Sequence, residues 1–238
     1  MQLSIVIPAY NEERLLPGCL ASVRAACAAV GCDAELIVVD NNSTDATASI
    51  AESAGARVIF EPVNQIGRAR NAGAAAASGD WLLFLDADST LEPALLAELL
   101  SLIEAGRAVA AGSTMRMPEA PWWGRAIVSA WNLLSRLCRW AAGSLLLCRA
   151  DAFRELGGFD EQLYVAEEID LCRRLKRWGR KRGLRLVILN RHPLQTSGRK
   201  FCLYTPSEIL AQMLRLALRP LGALKDRAAL SLWYGGRR

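Results

Sequence analysis

Apolar residues in the first half of this chain fall into two kinds of run. Residues 3–8, 35–40, 57–60 and 81–85 are short, dense blocks of Ile, Val, Leu and Phe, which suit strands buried on both faces. Between them, residues 11–30, 46–54 and 66–77 read as helices. Asn11 is expected to cap the first helix. The cluster Asn41-Asn42-Ser43-Thr44-Asp45 is expected to form a turn and cap the second. Strand and helix in alternation predict an α/β fold, a mostly parallel doubly wound sheet flanked by helices, with right-handed crossovers. Ligands of such sheets sit at the carboxyl ends of the strands. Here those ends carry Pro8-Ala9-Tyr10-Asn11-Glu12, Asp40-Asn41-Asn42 and Asp86-Ala87-Asp88, polar where a core would be apolar.

Beyond Met115 the alternation weakens. Pro121-Trp122-Trp123 opens an amphipathic helix with Trp123, Ile127, Trp131, Leu134 and Cys138 on one face and Arg125, Asn132, Arg136 and Arg139 on the other. Residues 143–148 read as a strand, 151–156 as a short helix, Gly157-Gly158 as a turn, 167–178 as a charged helix and 184–189 as a late strand. From 207 to 218, Ile209, Leu210, Met213, Leu214, Ala217 and Leu218 recur at helical spacing, with Arg215 and Arg219 outside them. No linker or repeat divides these parts, so residues 1–238 are expected to form one domain.

Composition adds limits. Of 238 residues, 52% are hydrophobic and 22% charged, which excludes disordered and collagen-like classes. The longest apolar runs fall well short of the roughly 18 residues of a spanning helix. The first residues lack a secretory-signal layout, so a cytoplasmic protein is expected. Seven cysteines contain no Cys-x-x-Cys pair and sit mostly in apolar patterns, predicting buried, reduced thiols and no structural zinc. Charge is uneven: residues 1–118 hold 7 Lys and Arg against 14 Asp and Glu, net −7, while residues 119–238 hold 22 against 10, net +12. A basic half suggests an anionic partner.

Two carboxylates one residue apart after a buried strand, Asp86 and Asp88, can hold a hard divalent cation between the protein and a diphosphate. A solvated loop rich in Asp for turn chemistry is the plainer reading. Asp40 ends another wholly apolar strand, where it can accept hydrogen bonds from a nucleobase imide or a ribose hydroxyl, or simply start a turn.

Taken in order, Ser4-Ile-Val-Ile-Pro-Ala-Tyr-Asn-Glu-Glu13, Ile37-Val-Val-Asp-Asn-Asn-Ser-Thr-Asp45, Gly67-Arg-Ala-Arg-Asn-Ala-Gly73, Phe84-Leu-Asp-Ala-Asp88, Gly157-Gly-Phe-Asp-Glu161 and Ala166-Glu-Glu-Ile-Asp-Leu171 resemble the successive signatures of family 2 glycosyltransferases of GT-A fold, over about residues 3–200. The resemblance implies an inverting, metal-assisted transfer of a sugar from a nucleoside-diphosphate sugar to an acceptor hydroxyl, UDP-sugar being the default donor and GDP-sugar the next. It places Pro8, Tyr10, Glu12 and Asp40 in the nucleoside pocket, and Gly67, Arg70 and Asn71 beside the ribose or diphosphate. Asp86 would approach the ribose and the metal, Mn2+ or Mg2+, and Asp88 would be the direct ligand. The family usually reads Glu-Asp in the last motif, with the second carboxylate as general base. Here that position is Glu168, one methylene longer, and Glu167 and Asp170 remain alternatives. Residues 1–115 would then form the donor half, 116–205 the acceptor half and 206–238 a basic amphipathic tail.

Inversion by direct displacement needs one base and no covalent nucleophile, so the lack of a Ser-His-Asp set is no objection. His192, the only histidine, follows the late strand. It reads either as a further metal ligand, as in some enzymes of this fold, or as a surface-loop residue. Arg199 and Lys200 suit a flexible basic clamp over the diphosphate. Gln195 and Arg199 do not make the Gln-x-x-Arg-Trp pattern of processive synthases, which favours single addition. Arg173, Arg174, Lys176, Arg177, Arg180, Lys181, Arg182 and Arg185 form a cationic run that an anion would relieve. Peripheral contact with an anionic membrane, at its inner face, competes with core packing for the Trp-rich helix and the tail. No nucleic-acid module accompanies the charge. The alternative function is a catalytically silent nucleotide-sugar-binding or membrane-surface adaptor. A nucleotidyltransferase is disfavoured because no Gly-rich phosphate loop follows the first strand. The acceptor and the oligomeric state are not legible in the sequence.

Overall fold

A computed structural model describes residues 2–209 and residue 211, so most of the helix expected over 207–218 and the tail after it lie outside the described residues. Among the described residues, eight strands form one sheet in the order β3-β2-β1-β4-β7-β6-β8-β5. Its first half follows the hydrophobic blocks closely: β1 (Leu3–Ala9), β2 (Ala34–Asp40), β3 (Arg57–Phe60) and β4 (Trp81–Leu85) pair in parallel, linked by α1 (Leu16–Val30), α2 (Thr47–Ser53) and α3 (Ile66–Ala76). Alternation along β1 divides the core. Leu3, Ile5, Ile7 and Ala9 join the layer under α1, whereas Val6 joins the layer under α3 with Val39, Leu82 and Phe84. Gly73 of α3 lies so close to the sheet that an added Cβ would come within 2.3 Å of Val6 Cγ1.

The second half is mixed. β7 (Leu145–Arg149) runs antiparallel to both β4 and β6 (Ala108–Arg116), and β8 (Arg185–Thr196) runs parallel to β6. The two-residue β5 (Ser89–Thr90) then pairs antiparallel with the end of β8. α4 (Pro93–Glu104) joins β5 to β6 across the α1 face. α5 (Trp122–Cys138), α6 (Ala150–Glu155), α7 (Glu167–Arg180) and α8 (Arg199–Leu203) complete the order.

Several expectations change. Asn11 does not cap α1, whose N-cap is Leu15; instead Asn11 takes a left-handed φ of 52° in a turn facing the β2 end. The late strand runs on through Asn190, His192 and Pro193 to Thr196, so His192 lies in β8 and not in a loop. Cys19, Cys148 and Cys172 are buried, but Cys27, Cys32 and Cys138 are only partly so and Cys202 is exposed. On α5 the inward residues are Gly124, Val128 and Ser135. Asn132, expected outside, donates to and accepts from the Met115 backbone at 2.8 and 2.9 Å, while Leu134, expected inside, is 42% exposed.

Candidate active site

The carboxyl ends of β1, β2 and β4 share one edge, and short polar bonds lock their loops together. The Asn41 N–H donates to Ala9 O at 2.8 Å, the Asn11 N–H to Ser43 Oγ at 3.0 Å and the Glu12 N–H to Thr47 Oγ1 at 2.8 Å. Asp40 is buried and accepts from the Ser43 N–H at 3.0 Å, so its carboxylate orders the β2 turn as well as facing the edge. Pro8 is buried within β1, and Tyr10 is half-buried at its end. Asn41, unremarked in the sequence beyond its turn, holds the approach to α3: its amide donates to Glu61 O and Val63 O, and its oxygen accepts the Gln65 N–H.

Asp86 and Asp88 follow β4. The Asp86 N–H donates to Ser144 O at 3.2 Å, which ties this loop to the start of β7. Asp88 accepts from Thr196 Oγ1 at 3.2 Å, and Arg199 at the start of α8 lies 4.0 Å from its carboxylate while also pairing with the buried Glu12. Burial and the neighbouring Asp86 charge push the Asp88 carboxyl up to about 6, against the pull of Arg199. An edge of hard carboxylate oxygens short of positive charge fits a divalent cation of the Mg2+ or Mn2+ kind. His192 stands four positions upstream of Thr196, within an irregularity of the β6–β8 register, and Thr196 is the β8 residue that bonds Asp88. Among the described residues, no three His, Cys, Asp or Glu side chains converge as a self-sufficient metal cage.

Beneath this edge lies Arg70 of α3. Expected beside the ribose or diphosphate, it is instead 2% exposed and joins three elements. Its Nη2 donates to Asp86 Oδ1 at 2.9 Å and Gly143 O at 2.7 Å, and its Nη1 donates to Glu167 Oε1 at 2.9 Å. The Phe159 ring lies 5.4 Å from its guanidinium. Burial opposes this charge, but Asp86 and Glu167 outweigh it and hold Arg70 more firmly protonated than usual. Glu167 is raised well above the carboxylate range by burial and by the Glu168 charge, with Arg70 acting the other way. One guanidinium divided between Asp86 and Glu167, with Glu168 alongside, leaves Glu167 short of compensation. Asn71 likewise serves the interior: it donates to Phe159 O, accepts the Phe159 N–H and donates to Glu161. Gly67 lies against Glu167 and Phe159, on the α7 side of the edge.

Three acids open α7, and their surroundings differ. Glu167 is buried on Arg70. Asp170 pairs with Arg174 at 2.7 Å along the helix surface. Glu168 is half-buried between them. The cationic run is less idle than its sequence suggests: Arg174 meets Asp170, Arg182 meets Glu155 and stacks 3.8 Å from the Trp178 ring, and Arg173 and Lys176 lie against Trp140. The sequence also gave no role to Gln65, whose amide donates to Glu161 O and Leu163 O and fixes the loop that leads to α7.

The model of the family described as "Glycosyl transferase family 2" matches residues 4–141. An uncharacterized glycosyltransferase of Mycobacterium bovis is 33% identical over 168 residues, 67% of this chain and 73% of that protein. Among solved structures, a mannosyltransferase from Pyrobaculum calidifontis in complex with GDP-Man and Mn2+ superposes with a TM-score of 0.68 at 17% identity, covering 98% of this chain and 68% of that one. A glucosyl-3-phosphoglycerate synthase from Mycobacterium tuberculosis, in complex with Mn2+, UDP and glucosyl-3-phosphoglycerate, gives 0.63 at 22% identity, covering 98% and 80%.

Proposed function

Because the chain belongs to glycosyl transferase family 2, we propose that it moves one sugar from a nucleoside-diphosphate sugar, UDP-linked by default and GDP-linked next, to an acceptor hydroxyl with inversion at the anomeric carbon. The observation that carries this reading is the division of labour at the start of α7: Arg70 engages Glu167, Arg174 engages Asp170, and Glu168, hydrogen-bonded to Glu167 but in no ion pair among the described residues, is the carboxylate assigned to proton transfer. Pro8, Tyr10, Glu12 and Asp40 line the nucleoside side, and Asp86 faces the ribose. Arg199 is the cation available to the diphosphate. Arg70 and Asn71 act one layer below, by holding Asp86, α7 and the Phe159 turn in place.

In the step itself Glu168 takes the acceptor hydroxyl proton, the acceptor oxygen bonds to the anomeric carbon, and the bond from that carbon to the phosphate oxygen breaks. The nucleoside diphosphate leaves with the electron pair. A Mn2+ or Mg2+ ion held by Asp88, with Asp86 beside it, would supply positive charge to the departing diphosphate. The GDP-Man and UDP complexes of the structural relatives, both with Mn2+, support this choice of donor and metal.

The test is Glu168→Gln. Transfer from the preferred sugar nucleotide should fall by about 10²–10⁴-fold while nucleotide affinity stays unchanged. If the wild-type chain transfers nothing from UDP-, GDP-, ADP-, CDP- or dTDP-sugars, the silent adaptor is the correct reading. If Glu167→Gln alone abolishes turnover, the base is misassigned.

A further inference from the structure

The face that α5 turns outward is apolar and basic together. Trp122, Ala126, Ala130, Leu133 and Leu137 recur at spacings of three and four, so they form one stripe, and all five are exposed. Trp122 is 75%, Leu133 59% and Leu137 74% exposed, an amount of unburied aromatic and aliphatic surface that a helix packed on a core does not ordinarily present. Arg125 and Arg136 lie along one flank of the stripe and Arg139 caps its end, all three exposed. The helix itself contains no Asp or Glu.

We propose that this face of α5 is a docking surface for an anionic lipid bilayer. The helix would lie in the headgroup plane with its Leu and Trp side chains in the acyl boundary and its arginines on lipid phosphates. Charge complementarity selects this occupant. A second copy apposed through the same face would bring the same arginines and no acid, so it offers them no countercharge. Residues 210–238 of the chain hold Arg215, Arg219, Lys225, Arg227, Arg237 and Arg238 against Asp226, and match a basic flank no better.

The position of α5 gives the surface a use. Near its start, Trp123 packs edge-on against Phe201 of α8, the helix that begins with Arg199. At its end, the Cys138 carbonyl accepts from Lys176 of α7, the helix that begins at Glu167 and Glu168. α5 thus packs against both the helix that carries Arg199 and the helix that carries Glu168, so a bilayer docked on its outer face would sit on an element that borders the proposed site, as suits an acceptor carried by a lipid. That last consequence rests on the transfer reading; docking does not.

The experiment is co-sedimentation of the full chain with phosphatidylcholine vesicles, with and without phosphatidylglycerol, alongside UDP titration of the same samples in solution. Binding should require the anionic lipid. The double variant Leu133→Glu/Leu137→Glu should lower vesicle affinity by at least about tenfold with UDP affinity unchanged, since each leucine loses its apolar burial. Arg125→Glu/Arg136→Glu should abolish the preference for phosphatidylglycerol. Equal binding by wild type and the leucine variant, or no binding to anionic vesicles, overturns the proposal. So does a wild-type dimer that the leucine variant converts to monomer. Loss of UDP binding with vesicle binding intact would instead count against the transfer reading.

Discussion

Arg70 is the residue on which most of the arrangement turns, because its two terminal nitrogens reach α7 and the Asp86 loop at once. Arg70→Met leaves Glu167 buried without its cation and should cost about 3–5 kcal/mol of stability, read as a lower urea midpoint. Glu167 gives a pH signature. Its carboxyl is raised in the folded state, so between the unfolded carboxylate value of about 4.3 and the higher folded value the native chain binds more protons than the unfolded one. Stability attributable to this group is present at acid pH and lost as pH rises through that window. Melting curves at pH 5 and 7.5 should show the wild type losing more stability between them than Glu167→Gln; an identical loss in both would assign the slope elsewhere. The sequence named both residues as candidates but set Arg70 beside the ligand. A motif fixes a position on a helix, and only the pairing with a residue 97 positions away turns the guanidinium inward.

At the scale of elements, legibility follows how local the coding is. The strands β1 to β4 stand within a few residues of where their hydrophobic blocks predict them, because β1, β4 and the second half of β2 are buried on both faces, and the edge strand β3, though not fully buried, keeps a β-branched and aromatic run. β6 was not anticipated: Ala-Val-Ala-Ala-Gly-Ser lacks the β-branched and aromatic signature of a strand, and its stability comes from pairing with β7 and β8. α5 is turned largely as its pattern predicts, with Trp123, Ile127, Trp131 and Cys138 partly buried and Arg125, Arg136 and Arg139 exposed, but Leu134 faces out, Asn132 faces in, and Trp122, Leu133 and Leu137 stand exposed beside the arginines. Asn132 carries the inward contact, and Asn132→Ala should cost about 1–3 kcal/mol by leaving the Met115 backbone groups unpaired, measurable by denaturant titration. The Gly157-Gly158 turn was read correctly for a reason the structure makes concrete. Both residues take positive φ, and a Cβ on Gly158 would come within 2.6 Å of Asn71 Oδ1, so Gly158→Ala should be destabilising where an ordinary loop substitution is neutral.

At the scale of the molecule, the acidic first half and the basic second half meet along a single sheet edge. Carboxylates from β1, β2 and β4 stand on one side, and Arg199 and the α7 acids close the other. The parallel half of the sheet was legible because each strand announces itself. The mixed half was not, since β7 enters against both neighbours and β8 extends to Thr196 through pairings that no local pattern encodes. The same limit hides Thr196, which the fold places beside Asp88 together with Arg199. The proposed transfer requires that edge to be a metal-assisted nucleotide site. Calorimetric titration of UDP into the wild-type chain and into Asp88→Asn, each with Mn2+ and with chelator, tests it most directly. A metal-assisted site there should give wild-type binding that weakens by at least about tenfold on chelation and an equal loss in Asp88→Asn that Mn2+ does not restore; nucleotide binding indifferent to both metal and substitution would rule that site out.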